Sequence, residues 1–303
     1  MRIQNSNAAN APQARQERLR FVETILLWEG IVRRQRVRDA FGVNVNHVTK
    51  DLRYYQQQFP DALDYRPEQR GYVAGPKFKP RFASESPAEY LGLLQARIEA
   101  ESAALVPIVG GQDLPMASLP SPAIGVDKEV LRQVVRAIRH ADGITVTYHS
   151  MTESKTSRRA IWPHALINTG LRWYVRAFDG TTRAFRSFVL SRIEQAKPQS
   201  ERPPAGSGQD QDQAWNRSVT ANVIPNPALS AHQQAVVARE FGMQPSAKGW
   251  VWEVTLRQCL VGHFARRYGL DDSAPRSAQS NWLALRNRAS LQPFFLPAGN
   301  ETN

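Results

Sequence analysis

The sequence predicts an α+β protein of three folded parts: a winged helix-turn-helix, a small β-barrel and a C-terminal α/β domain. Three observations carry this. The first 80 residues hold three helix-length apolar patterns followed by two short strand patterns. Residues 170–192 read as a β-hairpin crowded with arginine. Two stretches separate the parts: 102–126, nearly uncharged and rich in Pro, Gly and Ser, and 197–214, too polar to bury enough apolar surface to fold. At 303 residues the chain also exceeds one ordinary core.

Charge narrows the partners. The chain carries 39 Lys+Arg against 27 Asp+Glu, a net charge of +12. Such a balance suits a polyanion, with nucleic acid ahead of a ribosomal or membrane surface. No run approaches the ~18 apolar residues of a spanning helix, so no membrane partner is expected. Residues 1–14 lack a signal-peptide core and read as a disordered leader. Cys259 is the single cysteine, which excludes an intrachain disulfide or a cysteine metal cluster. The expectation is a cytoplasmic protein with neither cofactor nor metal.

In the N-terminal part, residues 15–101 including a helical connector, Leu19, Val22, Ile25, Leu26 and Trp28 recur at helical spacing over 15–29. Ile31–Phe41 reads as a second helix with Arg33, Arg34, Arg36 and Arg38 outside, closed by Gly42. Asn44 then caps a third helix whose inward stripe is Val45, Val48, Leu52 and Tyr55. Helix, tight turn and helix is the arrangement that sets its second helix in a DNA major groove. The outward residues Asn46, His47, Thr49, Lys50 and Arg53 are the candidate DNA contacts, together with Arg33 and Arg34. Asparagine suits adenine, whereas arginine and lysine suit guanine or phosphate. Leu63–Tyr65 and Gly71–Ala74 read as a wing hairpin with Arg66 and Arg70 flanking its tip. The plainer alternative is a helical domain with a solvated basic face, and His47 alone reads as a surface residue.

The middle part, 127–196, opens on a helix with Leu131, Val134, Val135 and Ile138 as its apolar face, then a strand at Ile144–Tyr148. A polar loop over Ser150–Ser157 leads to Arg158–Leu166, with Arg158 and Arg159 read as solvated and an extra DNA contact as the alternative. The hairpin runs Trp173–Phe178, a turn at Asp179–Gly180, and Phe185–Leu190. Alternation sets Trp173 and Val175 opposite Tyr174 and Arg176, so Trp173 reads as core. Residues 144–193 hold 8 Lys/Arg against 2 Asp/Glu, too uneven for local neutralisation. Several short strands after one helix suggest a strongly bent barrel.

The motifs Tyr148-x-Ser150, Arg158-Arg159-x-Ile161-x-Pro163-His164-x-Leu166, Trp173–Asp179 and Arg186–Ile193 resemble the WYL domain of bacterial transcriptional regulators. Val175 stands where that triplet has leucine, a conservative change on an inward position. The resemblance covers the whole middle part, and the flanking parts match the order of those regulators. It implies a Sm-like barrel with a basic pocket for an anionic or nucleic-acid-derived effector. The matching positions are Tyr148, Ser150, His164, Tyr174, Arg176, Arg186 and Arg192. Arginine holds phosphate bidentately at any cellular pH, and a tyrosine ring stacks on bases. Arg192 reads equally as a brace of the barrel.

In the last part, 215–303, Val219–Val223, Trp250–Leu256 and Trp282–Leu285 read as strands, with helices over Ser230–Phe241 and Cys259–Tyr268. This resembles the C-terminal extension that supports dimerisation beside many WYL domains. Cys259 reads as a small buried hydrophobe, with a low-pKa thiol as the alternative; Phe294 and Phe295 read as docking residues. The resemblance implies a homodimeric, ligand-responsive repressor on a palindromic operator of double-stranded DNA, controlling its own or a phage-defence operon. An activator of the same architecture and a nonspecific single-strand binder are the alternatives. The chain lacks HExxH, P-loop and GxSxG spacings and an acidic cluster for Mg²⁺, so catalytic residues are not expected.

Overall fold

The computed structural model describes residues 13–99, 115, 125–151, 155–271 and 282–296. Residues 1–12 of the expected leader, most of the 102–126 linker and residues 152–154 of the expected polar loop lie outside the described residues. The chain divides into two compact units, Met1–Pro122 and Ala123–Asn303.

In the first unit, helix α1 spans Gln13–Glu29, so it begins inside the expected leader. The single helix expected over 31–41 is divided. Ile31–Val32 forms strand β1 and Arg34–Phe41 forms α2. The β-branched pair is extended because it pairs with Val73 and Tyr72. Gly42 ends α2 at φ 62°, its N–H donating to the Arg38 carbonyl. Asn44 caps α3, Val45–Gln58, by accepting the Asn46 N–H. Strands β2 (Leu63–Arg66) and β3 (Gly71–Ala74) form the wing, in an antiparallel sheet ordered β1-β3-β2. A Cβ on Gly71 would lie 2.6 Å from Ile31 Cδ1, so glycine lets β1 close on the wing. Helix α4, Pro87–Glu99, lays Tyr90 and Leu93 against the core of Leu19, Ile25, Val37, Val48, Leu52 and Tyr55. Each fully buried Leu or Ile there contributes about 1.5–3 kcal/mol.

A buried carboxylate locks the chain that leaves the wing. Glu23 is fully buried and accepts the Tyr55 hydroxyl at 2.7 Å and the amides of Arg81, Phe82 and Ala83. Burial, then the Glu23 charge, pushes the Tyr55 phenol up.

The second unit opens on α5, Lys128–His140, capped by Asp127. Its buried face is Val130, Val134 and Ala137. Leu131 and Val135, expected inside, are exposed, because the helix rests the smaller Ala137 face on the sheet. Strands β4 (Ile144–Tyr148), β5 (Ser157–Asn168), β6 (Trp173–Asp179), β7 (Ala184–Val189) and β8 (Ile193–Pro198) follow. They form an antiparallel sheet ordered β7-β6-β5-β4-β8. The expected closed Sm-like barrel is not seen: backbone pairing leaves β7 and β8 as edges. The Tyr148 hydroxyl nonetheless reaches from β4 to accept the Val189 N–H of β7 at 3.2 Å. Arg159, expected in solvent, is buried in β5 and paired with Asp179 at 3.0 Å. Asp179 also accepts the Thr181 N–H and Thr182 hydroxyl, which shapes the hairpin turn.

The stretch 197–214, expected to be unable to fold on composition, buries Ser207 and Asp212. It leads into α6, Gln213–Asn216, capped by Asp212. Strand β9 (Ser218–Pro225), helix α7 (Ala231–Glu240), strands β10 (Gln244–Ser246) and β11 (Gly249–Arg257), helix α8 (Val261–Arg267), strand β12 (Leu283–Leu285) and helix α9 (Arg288–Leu291) complete the unit. Their antiparallel sheet is ordered β10-β11-β9-β12, with Val223, Val237, Ala265 and Leu283 in its core. Ser230 and Gln233 make a reciprocal capping box at the start of α7. Phe295 packs on this same core, under the Arg288 guanidinium at 5.2 Å.

Candidate functional site

Two surfaces hold the candidate residues. The first is built by α3 and the wing. On α3, Val48, Leu52 and Tyr55 face the core, which turns Asn46, His47, Lys50 and Arg53 to solvent. Thr49 is half-buried and donates its hydroxyl to the Val45 carbonyl at 3.0 Å. Arg66 and Arg70 are exposed at the wing tip, Arg70 at φ 49° in the left-handed region. Arg33 Nε donates to the Gln69 carbonyl at 3.2 Å, and the Arg34 guanidinium lies 5.9 Å from the Tyr65 ring centroid. Arg33, at the N-cap of α2, and Arg34 at its start thereby both contact the wing.

Arg15, Arg18 and Arg36 of this unit are instead paired with carboxylates. Asp51, on α3, takes Arg15 at 2.9 Å and Arg18 at 2.6 Å from α1. Glu29 takes Arg36, and the Tyr90 phenol is pushed up to about 12 by burial and then by Glu29. Among the described residues Lys50, Arg53, Arg66 and Arg70 make no ion pair. Their charge projects outward, as a phosphate backbone requires.

The second surface is the β5–β6 face of the five-stranded sheet. Tyr174 pairs across the ladder with Val189, and Arg176 with Ser187. Arg186 pairs with Ala177, one residue out of phase. Side chains alternate along a strand, so Arg176 and Arg186 leave opposite faces. The seven residues nominated by resemblance therefore divide. Tyr174, Arg176 and His164 share one face, while Tyr148 and Arg186 belong to the other, with the Val146–Phe188 core. Ser150 and Arg192 are half-buried in the connections beside Tyr148, where the His149 N–H donates to the Arg192 carbonyl.

His164 occupies the β5–β6 bulge, where the register slips between Pro163 and Ala165. The bulge aims its imidazole at Asp212: Nε2 lies 3.0 Å from Asp212 Oδ2. Arg176 meets the same carboxylate with two nitrogens, Nε to Oδ2 at 2.8 Å and Nη2 to Oδ1 at 3.0 Å. Its Nη1 donates to Ser187 Oγ at 3.3 Å, and the Trp215 amide donates to Asp212 Oδ1 at 3.2 Å. Burial alone would raise the Asp212 carboxyl. The hydrogen bonds from His164 and Arg176, the Arg176 charge and the Trp215 amide outweigh it, holding the group well below the ordinary carboxylate range.

Aromatic rings wall this centre. His164 stands edge-on to Phe185 and Trp215, at 5.7 and 5.4 Å between centroids. Tyr174 is buried, its ring centroid 4.7 Å from that of His263 on α8. Trp173, expected in the core, is 38% exposed, whereas Val175 is fully buried; Tyr174 carries the packing that its neighbour was expected to carry. Cys259 is buried beside the centre, its thiol pushed up to about 11 by burial.

Asp212, Ser187 and His263 are the members of this constellation that sequence reasoning missed. Asp212 had one local signal, an aspartate three residues ahead of Trp215 in helix-capping position. Chemically, the centre is an anion site: a guanidinium fork, an imidazole and a backbone amide converge on two oxygens. Among the described residues no group of three or more His, Cys, Asp or Glu could hold a metal. Among the same residues no helix is long and apolar enough to cross a membrane.

Comparison with known proteins matches three stretches of the chain. A BrxR transcriptional regulator winged helix-turn-helix domain matches residues 14–96, a WYL domain matches 129–198, and a BrxR transcriptional regulator C-terminal dimerization domain matches 218–291. Similar proteins include the DNA-binding transcriptional repressor CapW of Escherichia coli (strain KTE188), 30% identical over 91% of this chain and 90% of that one. The CapW of Pseudomonas aeruginosa is 30% identical over 92% of this chain and 91% of that one. That of Stenotrophomonas maltophilia is 29% identical over 90% and 89%.

Proposed function

The chain belongs to the CapW family of DNA-binding transcriptional repressors, and we propose that it is a homodimeric, effector-responsive repressor of this kind. Two copies joined through the C-terminal domain present two α3 helices to a palindromic operator, with half-sites ~34 Å or a multiple apart. Asn46, His47, Lys50 and Arg53 meet the major groove, with Thr49 at its rim. Arg33, Arg34, Arg66 and Arg70 take phosphates beside it. The observation that carries this reading is the exposed face of α3 flanked by the unpaired wing arginines. The operator controls the repressor's own gene or a phage-defence operon.

The WYL domain, an open five-stranded sheet under one helix, senses an anionic or nucleic-acid-derived effector. Arg176 and His164 form its charged centre with Tyr174 beside them, while Arg186, Tyr148, Ser150 and Arg192 serve the opposite face. Control requires that the effector bind the DNA-competent and incompetent states unequally, with a coupling of about 1–3 kcal/mol. Footprinting on DNA upstream of the chain's own gene tests the reading. A symmetric protected site is expected; protection without sequence preference would leave only a nonspecific binder.

A further inference from the structure

We propose that Asp212 is a built-in competitor for the effector centre: its carboxylate occupies Arg176 and His164 until a phosphate monoester displaces it and loosens α6 from the C-terminal sheet. The proposal rests on the reading of the Arg176 centre as the effector site.

The geometry is that of a ligand already bound. Asp212 is 1% exposed and Arg176 3% exposed, and the pair is bidentate. The Asp212 oxygens also accept from His164 and from the Trp215 amide, so the donors that an incoming anion would need are already taken. An anion seeking this fork must therefore replace the carboxylate, because two anions cannot occupy one buried guanidinium.

Tethering decides which anion succeeds. Asp212 is joined to β8 by a short stretch of chain, so its effective concentration at Arg176 is on the order of millimolar or above. A monocarboxylate would exchange like for like against that advantage. A phosphate monoester carries about two charges and three acceptor oxygens. It can hold the Arg176 fork and His164 and also take the Ser187 hydroxyl, which Arg176 already touches.

Displacement would not stay local. Asp212 caps α6, and α6 packs on the turn Gln258–Leu260 at the end of β11. The Arg257 guanidinium lies 4.1 Å over the Trp215 ring while its Nη1 donates to the Trp215 carbonyl at 2.6 Å. The Gln258 amide donates to the Arg217 carbonyl. Residue 218 then begins β9, an inner strand of the C-terminal sheet. Freeing the cap loosens a segment bolted directly to the domain that joins the copies.

The test uses the full chain, with inorganic phosphate and a 5′-phosphorylated thymidine dinucleotide as probes in calorimetric titrations. Asp212→Asn keeps the shape and removes the charge; it should bind a phosphate probe at least about tenfold tighter than the wild type. The probe that tightens more identifies the source, free phosphate or a nucleic-acid end. Arg176→Met combined with Asp212→Asn should lose that binding. Equal, Arg176-dependent affinity in wild type and Asp212→Asn would overturn the competitor while leaving the effector reading intact. Binding of neither probe by any variant, or binding that survives loss of Arg176, would overturn both. Should Asp212→Asn fail to fold, the wild type decides through Cys259, the single thiol, buried beside the centre. Saturating dinucleotide should raise its labelling rate at least about tenfold, following the opened population; an unchanged rate overturns the proposal.

Discussion

Asp212 and Arg176 meet oxygen to nitrogen twice, at 2.8 and 3.0 Å, with both side chains buried. One residue lies in a sheet strand and the other 36 positions later, at the start of α6. The pair joins the central sheet to the segment that enters the C-terminal domain. It also sets the energetic stakes of that junction, because a charge left alone in such a place is far costlier than a pair removed whole.

Arg176→Met should therefore cost about 3–5 kcal/mol, since it strands the Asp212 charge. Arg176→Met with Asp212→Leu should recover most of that loss, both partners being replaced by apolar groups of similar volume. Urea unfolding of the three proteins measures it. A double variant as unstable as the single one would show that the pair is not the source of the loss.

The depressed Asp212 carboxyl gives stability a pH dependence of definite sign. Its contribution is full above the ordinary carboxylate value of about 4 and is lost as the pH falls toward the lower folded value. Asp212→Asn should thus be less stable than wild type at neutral pH, with the gap narrowing in acid. Thermal unfolding from neutral pH into the acid range reads this directly; a gap that widened in acid would have the wrong sign.

Glu23 makes a comparable prediction for the first unit. Glu23→Ala removes the acceptor of the Tyr55 hydroxyl and of three consecutive amides, each worth about 1–3 kcal/mol when buried and unsatisfied. The expected loss is at least about 3 kcal/mol, with earlier proteolysis of the 80–83 segment. Unchanged protease resistance would mean that the cradle does not hold this segment.

On the DNA-facing side, Lys50→Ala and Arg53→Ala should leave the fold intact, both residues being exposed. If Lys50 meets a phosphate, its loss should lower the log–log salt slope of binding by about 0.9 and weaken all sequences alike. If Arg53 reads a base, its loss should cost about 1–3 kcal/mol on the operator alone. Identical effects of the two changes on operator and scrambled DNA would assign both to the backbone.

Local rules were sufficient for much of this fold. Gly42, Asn44 and Ser230 close or cap the helices expected of them, because capping is decided within a few residues. Where partner choice decides, the reading failed. Ile31–Val32 joins a strand through β3, forty residues on. Trp173 is 38% exposed because it stands at the first position of β6, one residue before the ladder with β7 begins.

The candidate site was legible as a set of residue types and not as an arrangement. Tyr174, Arg176 and His164 do share a face, but Arg186 is placed on the other one by a ladder register that composition does not encode. Asp212 lay in a polar stretch whose lack of apolar residues suggested no burial, yet it is buried against Arg176 and His164. The same holds for Asp51, whose pairing with Arg15 and Arg18 withdraws two arginines that net charge alone would offer to DNA.

Fluorescence anisotropy of the full chain on the footprinted site and on a scrambled duplex, at one physiological salt concentration, tests the central claim most directly. A repressor reading its operator through α3 should bind the site at least about 10³-fold tighter than the scrambled duplex, and Arg53→Ala should shrink that ratio. Equal affinity for the two duplexes, or a ratio untouched by every substitution on the exposed face of α3, would contradict it.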